Sequence, residues 1–166
     1  MMRLRPLSEL DLPLVRTWMR DDPHAPAWSE DDLSGLITDA SGSPRKTRRA
    51  WVAEDAGFSQ HGPALMGFAV ATALSIPEAP AECELEFVLV PPHARRRGIG
   101  SALMETVLAW ARDLGAKEIW LEVRKSNVCA VRLYERCGFA ITGSRPGYYV
   151  DPVEDALLMR CRIECG

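Results

Sequence analysis

The sequence has no uncharged apolar run near the ~20 residues that span a bilayer. No apolar segment follows Arg3 and Arg5, and Glu9 and Asp11 come too soon for a secretory signal. A cytoplasmic location without membrane attachment is the expectation. A basic excess is also missing, since 20 lysines and arginines face 23 acidic side chains, for a net charge of −3. General nucleic-acid binders need surplus cations to replace the counterions of phosphates, so no nucleic-acid partner is expected. Cys83, Cys129, Cys137, Cys161 and Cys165 are odd in number and contain no Cys-x-x-Cys pair. They read as small buried thiols in a reducing compartment, not as a disulfide framework or zinc site. His24, His61 and His93 stand alone, without the spacing of a metal site or a Ser–His–Asp arrangement, and read as surface residues. No metal is expected. Neither Gly-x-x-x-x-Gly-Lys-Ser/Thr nor Gly-x-Gly-x-x-Gly occurs, which removes the P-loop and the dinucleotide fingerprint.

What is present describes one domain, residues 1–166, with no repeat, low-complexity segment or linker. A chain of this length buries roughly 70% of its unfolded surface, enough for a real core. Residues 3–5 alternate as a short strand. Ser8 opens a helix with Asp11 as a weak capping-box partner, and Leu10, Leu14, Val15 and Trp18 recur at helical spacing. Residues 21–26 break it. A second helix starts at Ser29, with Glu30, Asp31 and Asp32 at its positive end. Residues 41–49 read as an exposed loop whose Arg45, Lys46, Arg48 and Arg49 are solvated.

Strands are predicted at 50–54, 65–75 and 84–90. An amphipathic helix over 98–114 carries Leu103, Val107, Trp110 and Leu114, and Gly115 stops it. In the strand 117–123, Ile119, Leu121 and Val123 face one way, Trp120 and Glu122 the other. A helix over 127–137 ends at Gly138. Strands at 139–142 and 156–163 flank a turn-rich stretch around Pro146-Gly147-Tyr148-Tyr149. The order predicts one α/β (α+β) domain: a mixed, mostly antiparallel sheet flanked by about four helices.

Arg95-Arg96-Arg97-Gly98-Ile99-Gly100-Ser101 joins a strand to a helix. Unpaired N–H groups and the helix dipole favour an anion such as a pyrophosphate there. Gly98 and Gly100 let the backbone approach a ligand without a Cβ in the way. A charged turn capping a surface helix is the structural alternative.

The run Val88-Leu89-Val90-Pro91-Pro92-His93-Ala94, continuing through that turn to Ala102-Leu103, resembles the acetyl-CoA-binding motif of the GNAT superfamily. Leu121-Glu122-Val123-Arg124-Lys125-Ser126-Asn127-Val128-Cys129-Ala130 and Leu133-Tyr134-Glu135-Arg136-Cys137-Gly138-Phe139 resemble its RimI-type branch, the ribosomal-protein-alanine N-acetyltransferases. Gly147-Tyr148-Tyr149 and the stretch 154–159 extend the match, which covers about half of the chain.

The resemblance implies acetyl-CoA as co-substrate and, as acceptor, a protein N-terminus such as that of a ribosomal protein. A small amine or a lysine side chain is the alternative acceptor, and a non-catalytic CoA-binding domain a third reading. It implies coenzyme contacts from the backbone of Val88, Leu89 and Val90, from Arg96, Arg97, Gly98, Ile99, Gly100 and Ser101, and from Asn127. It implies Glu122 as catalytic base and Tyr134 as catalytic acid, with Tyr148 and Tyr149 along the acceptor groove. Read from the residues alone, Glu122 faces water, Tyr134 packs in the core, and Asn127 or Ser126 caps a helix. Glu86 shares a strand face with Val88 by alternation, which makes it the second candidate base or an anchor for a charged amine. Glu84 is a further anionic neighbour. Pro91-Pro92 departs from the branch's more usual Asp-Pro, and the half containing Trp18 and Trp28 matches no known pattern, so the acceptor is the least determined feature.

Overall fold

Seven strands form one sheet in the order β1-β2-β3-β4-β5-β7-β6. They are β1 (Met2–Pro6), β2 (Lys46–Asp55), β3 (Ala64–Leu74), β4 (Glu82–Leu89), β5 (Glu118–Arg124), β6 (Ala140–Val150) and β7 (Val153–Arg162). The computed structural model describes residues 1–37, 46–57 and 64–164. Every neighbouring pair is antiparallel except β4 and β5, which are parallel and joined through helix α3 (Ile99–Asp113). The other described helices are α1 (Leu12–Asp21), α2 (Glu30–Ser34) and α4 (Val128–Arg136). None is long and apolar enough to cross a membrane.

The predicted mixed sheet with four helices is observed. Alternation works as read in β5, where Ile119, Leu121 and Val123 are buried and Trp120 and Glu122 are only partly covered. Those three pack with Leu103, Met104 and Val107 of α3 and with Tyr134 and Phe139 around α4. The opposite face of β2 and β3 buries Val52, Phe68 and Val70 under Leu12, Val15 and Trp18 of α1 and Leu33 of α2. Phe68 is fully enclosed between Trp18 and Phe87, and a ring buried in this way contributes about 1.5–3 kcal/mol.

Several expectations need correction. Leu10 is 92% exposed and Leu14 is also exposed. A 3-10 turn over Glu9–Asp11 precedes α1, so helical phase starts at Leu12 and the buried set is Leu12, Val15 and Trp18. Leu114 is likewise exposed. The basic run is not a loop where it is described: Lys46, Arg48 and Arg49 lie in β2, paired along β3. Arg45 and the rest of 41–45, with His61 and Cys165, fall outside the described residues. Cys129 is exposed, whereas Cys83 and Cys161 are buried as expected. The stretch holding Pro146, Gly147, Tyr148 and Tyr149 belongs to β6, but its register against β7 breaks between Arg145 and Tyr149. Turn-type residues there produce an irregular strand.

Arg5 fastens the first elements. Its guanidinium donates to both oxygens of Asp11 at 2.7 and 2.8 Å and to Glu54 at 2.7 Å. Asp11 and Glu54 are both buried. Asp11 also closes the Ser8 capping box read from the sequence. Burial opposes ionisation of Asp11, yet the bonds from Arg5 and Ser8 outweigh it and hold the carboxyl below its usual range.

Candidate active site

β4 and β5 pair at only two positions, Cys83 with Ile119 and Glu84 with Trp120. Both strands run on, to Leu89 and Arg124, while their outer edges stay paired to β3 and β7. The parallel pair therefore parts, and the inner edge of β4 beyond Glu84 carries peptide groups without a ladder partner. A second irregularity sits beside it. Val70 pairs with Phe87 but Ala71 pairs with Leu85, so Glu86 is an extra residue in β4. Such a bulge re-aims side chains. Leu85 and Val88 pack on the α3 side, Phe87 and Leu89 on the α1 side. The alternation that put Glu86 and Val88 on one face is thus broken at Glu86 itself.

Two cavities of about 480 Å³ each open at this parting. One is lined by Val88, Val123, Asn127 and Tyr134. The other is lined by Trp28, Asp32, Arg48, Thr72 and Glu84. They meet at Pro26, Glu86, Glu122, Tyr148 and Tyr149. The structure therefore brings Glu122, Tyr134, Asn127, Val88, Glu86, Tyr148 and Tyr149 together, although they come from β4, β5, α4 and β6.

The carboxylates here differ in their partners. Arg145 Nε lies 3.2 Å from Glu122 Oε1, and the Arg145 side chain is 53% exposed. The Tyr148 hydroxyl also donates to Glu122, and this bond, then burial, raises the phenol's pKa. Glu86 is held by the Arg48 fork, with Nε at 2.8 Å and Nη2 at 2.6 Å, and by the Thr72 hydroxyl. Arg48 in turn donates to the Asp32 carbonyl at 3.1 Å and lies over Trp28 at 4.9 Å. Glu84 is raised above the usual carboxylate range by burial, then by the charges of Glu86 and Glu122. Burial lifts Tyr149 to about 12 and Tyr134 further, so both phenols are neutral at ordinary pH.

Asn127 is the cap of α4, its side chain accepting from the Ala130 N–H at 3.3 Å, and it also lines the cavity. Tyr134 packs against Phe139, with ring centres 5.9 Å apart, and faces the same cavity. Each residue thus has a structural role and also borders the cavity.

At the start of α3, Gly98 caps the helix with φ +77° and no side chain bonds to the first turn. Arg96 also has a positive φ, 62°. A Cβ on Gly100 would lie 3.0 Å from the Leu133 side chain, so this glycine serves helix packing as well as ligand approach. Arg97 sits 3.6 Å from Asp55, and Arg95 donates to the Val90 carbonyl at 2.8 Å. Arg96, Arg97, Gly98, Ile99, Gly100 and Ser101 line neither cavity, and nor do Leu89 and Val90.

Sequence reasoning missed three residues. His24, read as a surface residue, lines the first cavity with its Nδ1 buried and without a partner among the described residues. Arg48, read as a solvated loop residue, forms the Glu86 clamp. Arg124, quoted only as part of a motif, also lines the first cavity. No periodic signal marks any of them, because their roles depend on contacts across the sheet. Among the described residues no group of three or more His, Cys, Asp or Glu is placed to hold a metal.

A parted parallel strand pair thus lies beside a helix start that no side chain caps, with a carboxylate and a phenol lining one cavity. Residues 12–139 match the model of the acetyltransferase (GNAT) family, and the chain belongs to that family. It is 40% identical over 84 residues to [ribosomal protein bS18]-alanine N-acetyltransferase of Escherichia coli K12, a match covering 49% of this chain and 57% of that protein. The chain thus spans little more than half the length of this curated relative. The solved structure of the Escherichia coli ribosomal-protein-S18-alanine N-acetyltransferase superposes with TM-score 0.73 at 27% identity, covering 100% of this chain and 96% of that one. Arabidopsis thaliana NAA60 bound to a bisubstrate analogue superposes with TM-score 0.85 at 21% identity, covering 99% and 100%, a likeness of fold. Streptothricin acetyltransferase of Streptomyces lavendulae is 40% identical over 65 residues, 39% of this chain and 34% of that protein.

Proposed function

We propose that the protein is an acetyl-CoA-dependent N-acetyltransferase whose acceptor is the N-terminal α-amine of a polypeptide. The observation that carries this reading is the convergence of Glu122 from β5 and Tyr134 from α4 on one cavity, beside Val88 and Asn127, where β4 and β5 part. The residues present fit the coenzyme. The freed edge of β4 around Val88, Leu89 and Val90 offers peptide groups to an amide-bearing arm. The first turn of α3, which no side chain caps, with Arg96, Arg97, Gly98, Ile99, Gly100 and Ser101, suits a pyrophosphate. Asn127 spends its oxygen on the cap and keeps its NH2 group for the coenzyme.

Bound acetyl-CoA supplies a thioester, whose C–S bond breaks as the amine's C–N bond forms. Glu122 takes the proton the amine loses, directly or through a water. Peptide N–H groups of β4 polarise the carbonyl. Tyr134 gives its proton to the departing sulfur, and burial favours the neutral phenol that this role requires. An α-amine has a pKa of roughly 7.7–8.0 against about 10.4 for lysine, so a carboxylate base suits the former better. Glu86 is the weaker base candidate. Its oxygens are fixed by a part-buried arginine fork and a hydroxyl, while Glu122 has the Tyr148 hydroxyl and, at 3.2 Å, an arginine that is half exposed. Tyr148 and Tyr149 wall the junction through which the acceptor enters.

The Escherichia coli relative supports a ribosomal-protein N-terminus as the most specific form of this reading, and a cytoplasmic location goes with it. The Streptomyces relative supports a second reading, a small-molecule amine. The two joined cavities favour an extended acceptor. A panel of free alanine-start peptides, N-terminally blocked lysine peptides and small amines, read by mass spectrometry, separates them. Free alanine-start peptides are expected to react fastest, at a rate that rises with pH as the α-amine deprotonates. Faster reaction of blocked lysine peptides or small amines replaces the acceptor. Absence of both acetyl transfer and calorimetric acetyl-CoA binding overturns the activity. Glu122→Gln and Tyr134→Phe should each lower kcat by about 10²–10⁴ while leaving coenzyme affinity intact. Full turnover in Glu122→Gln with a dead Glu86→Gln moves the base to Glu86.

A further inference from the structure

We infer that Arg124 is a positioning residue: it holds the tyrosine-bearing end of β6 against the β5–α4 junction and so sets the geometry of the acceptor wall. The inference rests on the proposed acetyl transfer for its kinetic consequence only.

The ladder breaks just before Tyr149 and gives Tyr148 no partner. Arg145 pairs with Ala156 and Tyr149 with Glu154, so β6 uses two more residues than β7 over this interval. Gly147, at φ +59°, leaves the ladder and donates its N–H to the Asp155 side chain at 2.9 Å instead. Both tyrosines stand at the end of this break, and Tyr148 is half exposed. An irregular strand end of this kind opens locally unless something outside the ladder ties it down.

Arg124 supplies that tie. It is the last residue of β5, its side chain is 11% exposed, and its guanidinium lies over the Tyr149 ring at 4.1 Å. Nη2 donates to the Asp151 carbonyl at 3.0 Å, and Nη1 to the Pro152 carbonyl at 3.3 Å and the Glu154 carboxylate at 3.4 Å. The fork therefore spans the turn between β6 and β7 while its flat face fixes a ring, a combination lysine cannot reproduce. Glu154 passes the tie onward. Its second oxygen accepts from the Ser126 N–H at 2.6 Å, one residue before the Asn127 cap of α4. That bond and the arginine hold the Glu154 carboxyl below the usual range, so the tether stays charged at ordinary pH. The Arg124–Glu154 ion pair thus joins the acceptor wall to the helix carrying Tyr134, beside the backbone bond from Lys125 N–H to the Asp155 carbonyl at 3.1 Å. Arg124 acts on the acceptor through Tyr149, not by chemistry.

The test compares wild type with Arg124→Gln and, as a milder variant that keeps the shape at Ser126, Glu154→Gln. Hydrogen–deuterium exchange should show faster exchange at residues 146–153 in both variants, by about tenfold in the first, with α3 unchanged. Acceptor KM should rise by about tenfold in Arg124→Gln, with kcat and the acetyl-CoA Kd each within about twofold of wild type. Adding Tyr149→Leu to Arg124→Gln should raise KM no further, because the two act as one unit. Unchanged exchange at 146–153 overturns the inference. So does an unchanged acceptor KM, or an equal loss of coenzyme affinity. Should Arg124→Gln fail to fold, Glu154→Gln carries the same readouts. If wild type transfers no acetyl group, the functional reading fails on its own, and the exchange measurement still decides whether Arg124 holds the tyrosines.

Discussion

At the scale of single residues, charge placement separates structure from chemistry. Part-buried Arg5 bridges the buried Asp11 and Glu54, none of which lines a cavity, and removing the arginine strands two buried carboxylates. Arg5→Met should therefore cost about 3–5 kcal/mol, measured by urea denaturation at neutral pH. The Asp11 carboxyl is depressed in the folded state relative to roughly 3.9 unfolded, so its contribution is complete above that value. It is lost as pH falls toward the folded value, because the unfolded chain binds the proton first. Asp11→Asn should lower stability at pH 7 and flatten the loss of stability below about pH 4, followed by denaturant midpoints across pH. The three arginines at the site each serve a carboxylate and an aromatic ring together: Arg48 with Glu86 and Trp28, Arg145 with Glu122 and Tyr148, Arg124 with Glu154 and Tyr149. Only the Glu122 partner is half exposed, although Glu122 itself, at 11%, is the least exposed of the three carboxylates.

At the scale of elements, the site depends on close approach between β3, β4 and α3. A Cβ on Gly67 would meet the Leu89 carbonyl oxygen at 2.8 Å and the Ile99 and Leu103 side chains at 3.3 Å. Gly67→Ala should destabilise by about 1–3 kcal/mol, seen as a lower melting temperature, because a backbone oxygen cannot turn aside. Gly67 gives no signal in the sequence, where it sits inside an ordinary apolar strand. Strand and helix types were legible wherever periodicity carried them, as in α3 and β5. Phase failed where a short turn or bulge intervened: Leu10 before α1, Glu86 in β4, and the tyrosine stretch of β6. One inserted residue reverses the facing of everything after it. Glu122 and Tyr134 were legible through their motifs, while pattern alone made one a surface residue and the other a core residue. Both descriptions are partly right, because a cavity wall borders core and solvent alike. Arg48 and Arg124 were silent because their partners lie on other elements, far along the chain, and His24 because its Nδ1 has no partner among the described residues.

At the scale of the whole molecule, the parted strands divide the sheet into two blocks, β1 to β4 and β5 to β7, stitched by two residue pairs and covered by α3. This seam gives the reaction room, and it is also the thinnest line through the protein. Val88 on one block and Asn127 beside the other line the same cavity, so a coenzyme bound there as proposed would work as a brace across a joint. Occupancy and mechanical integrity are then one quantity. Saturation with acetyl-CoA at about 100 times its Kd should add roughly 2.7 kcal/mol, read as a rise in melting temperature by calorimetry. The added protection in hydrogen exchange should concentrate on the inner edges of β4 and β5 and leave β1 and β6 nearly untouched. A cell that runs short of coenzyme would then hold a less rigid population of this protein, and its lifetime against proteases would follow the metabolic supply of the acetyl donor.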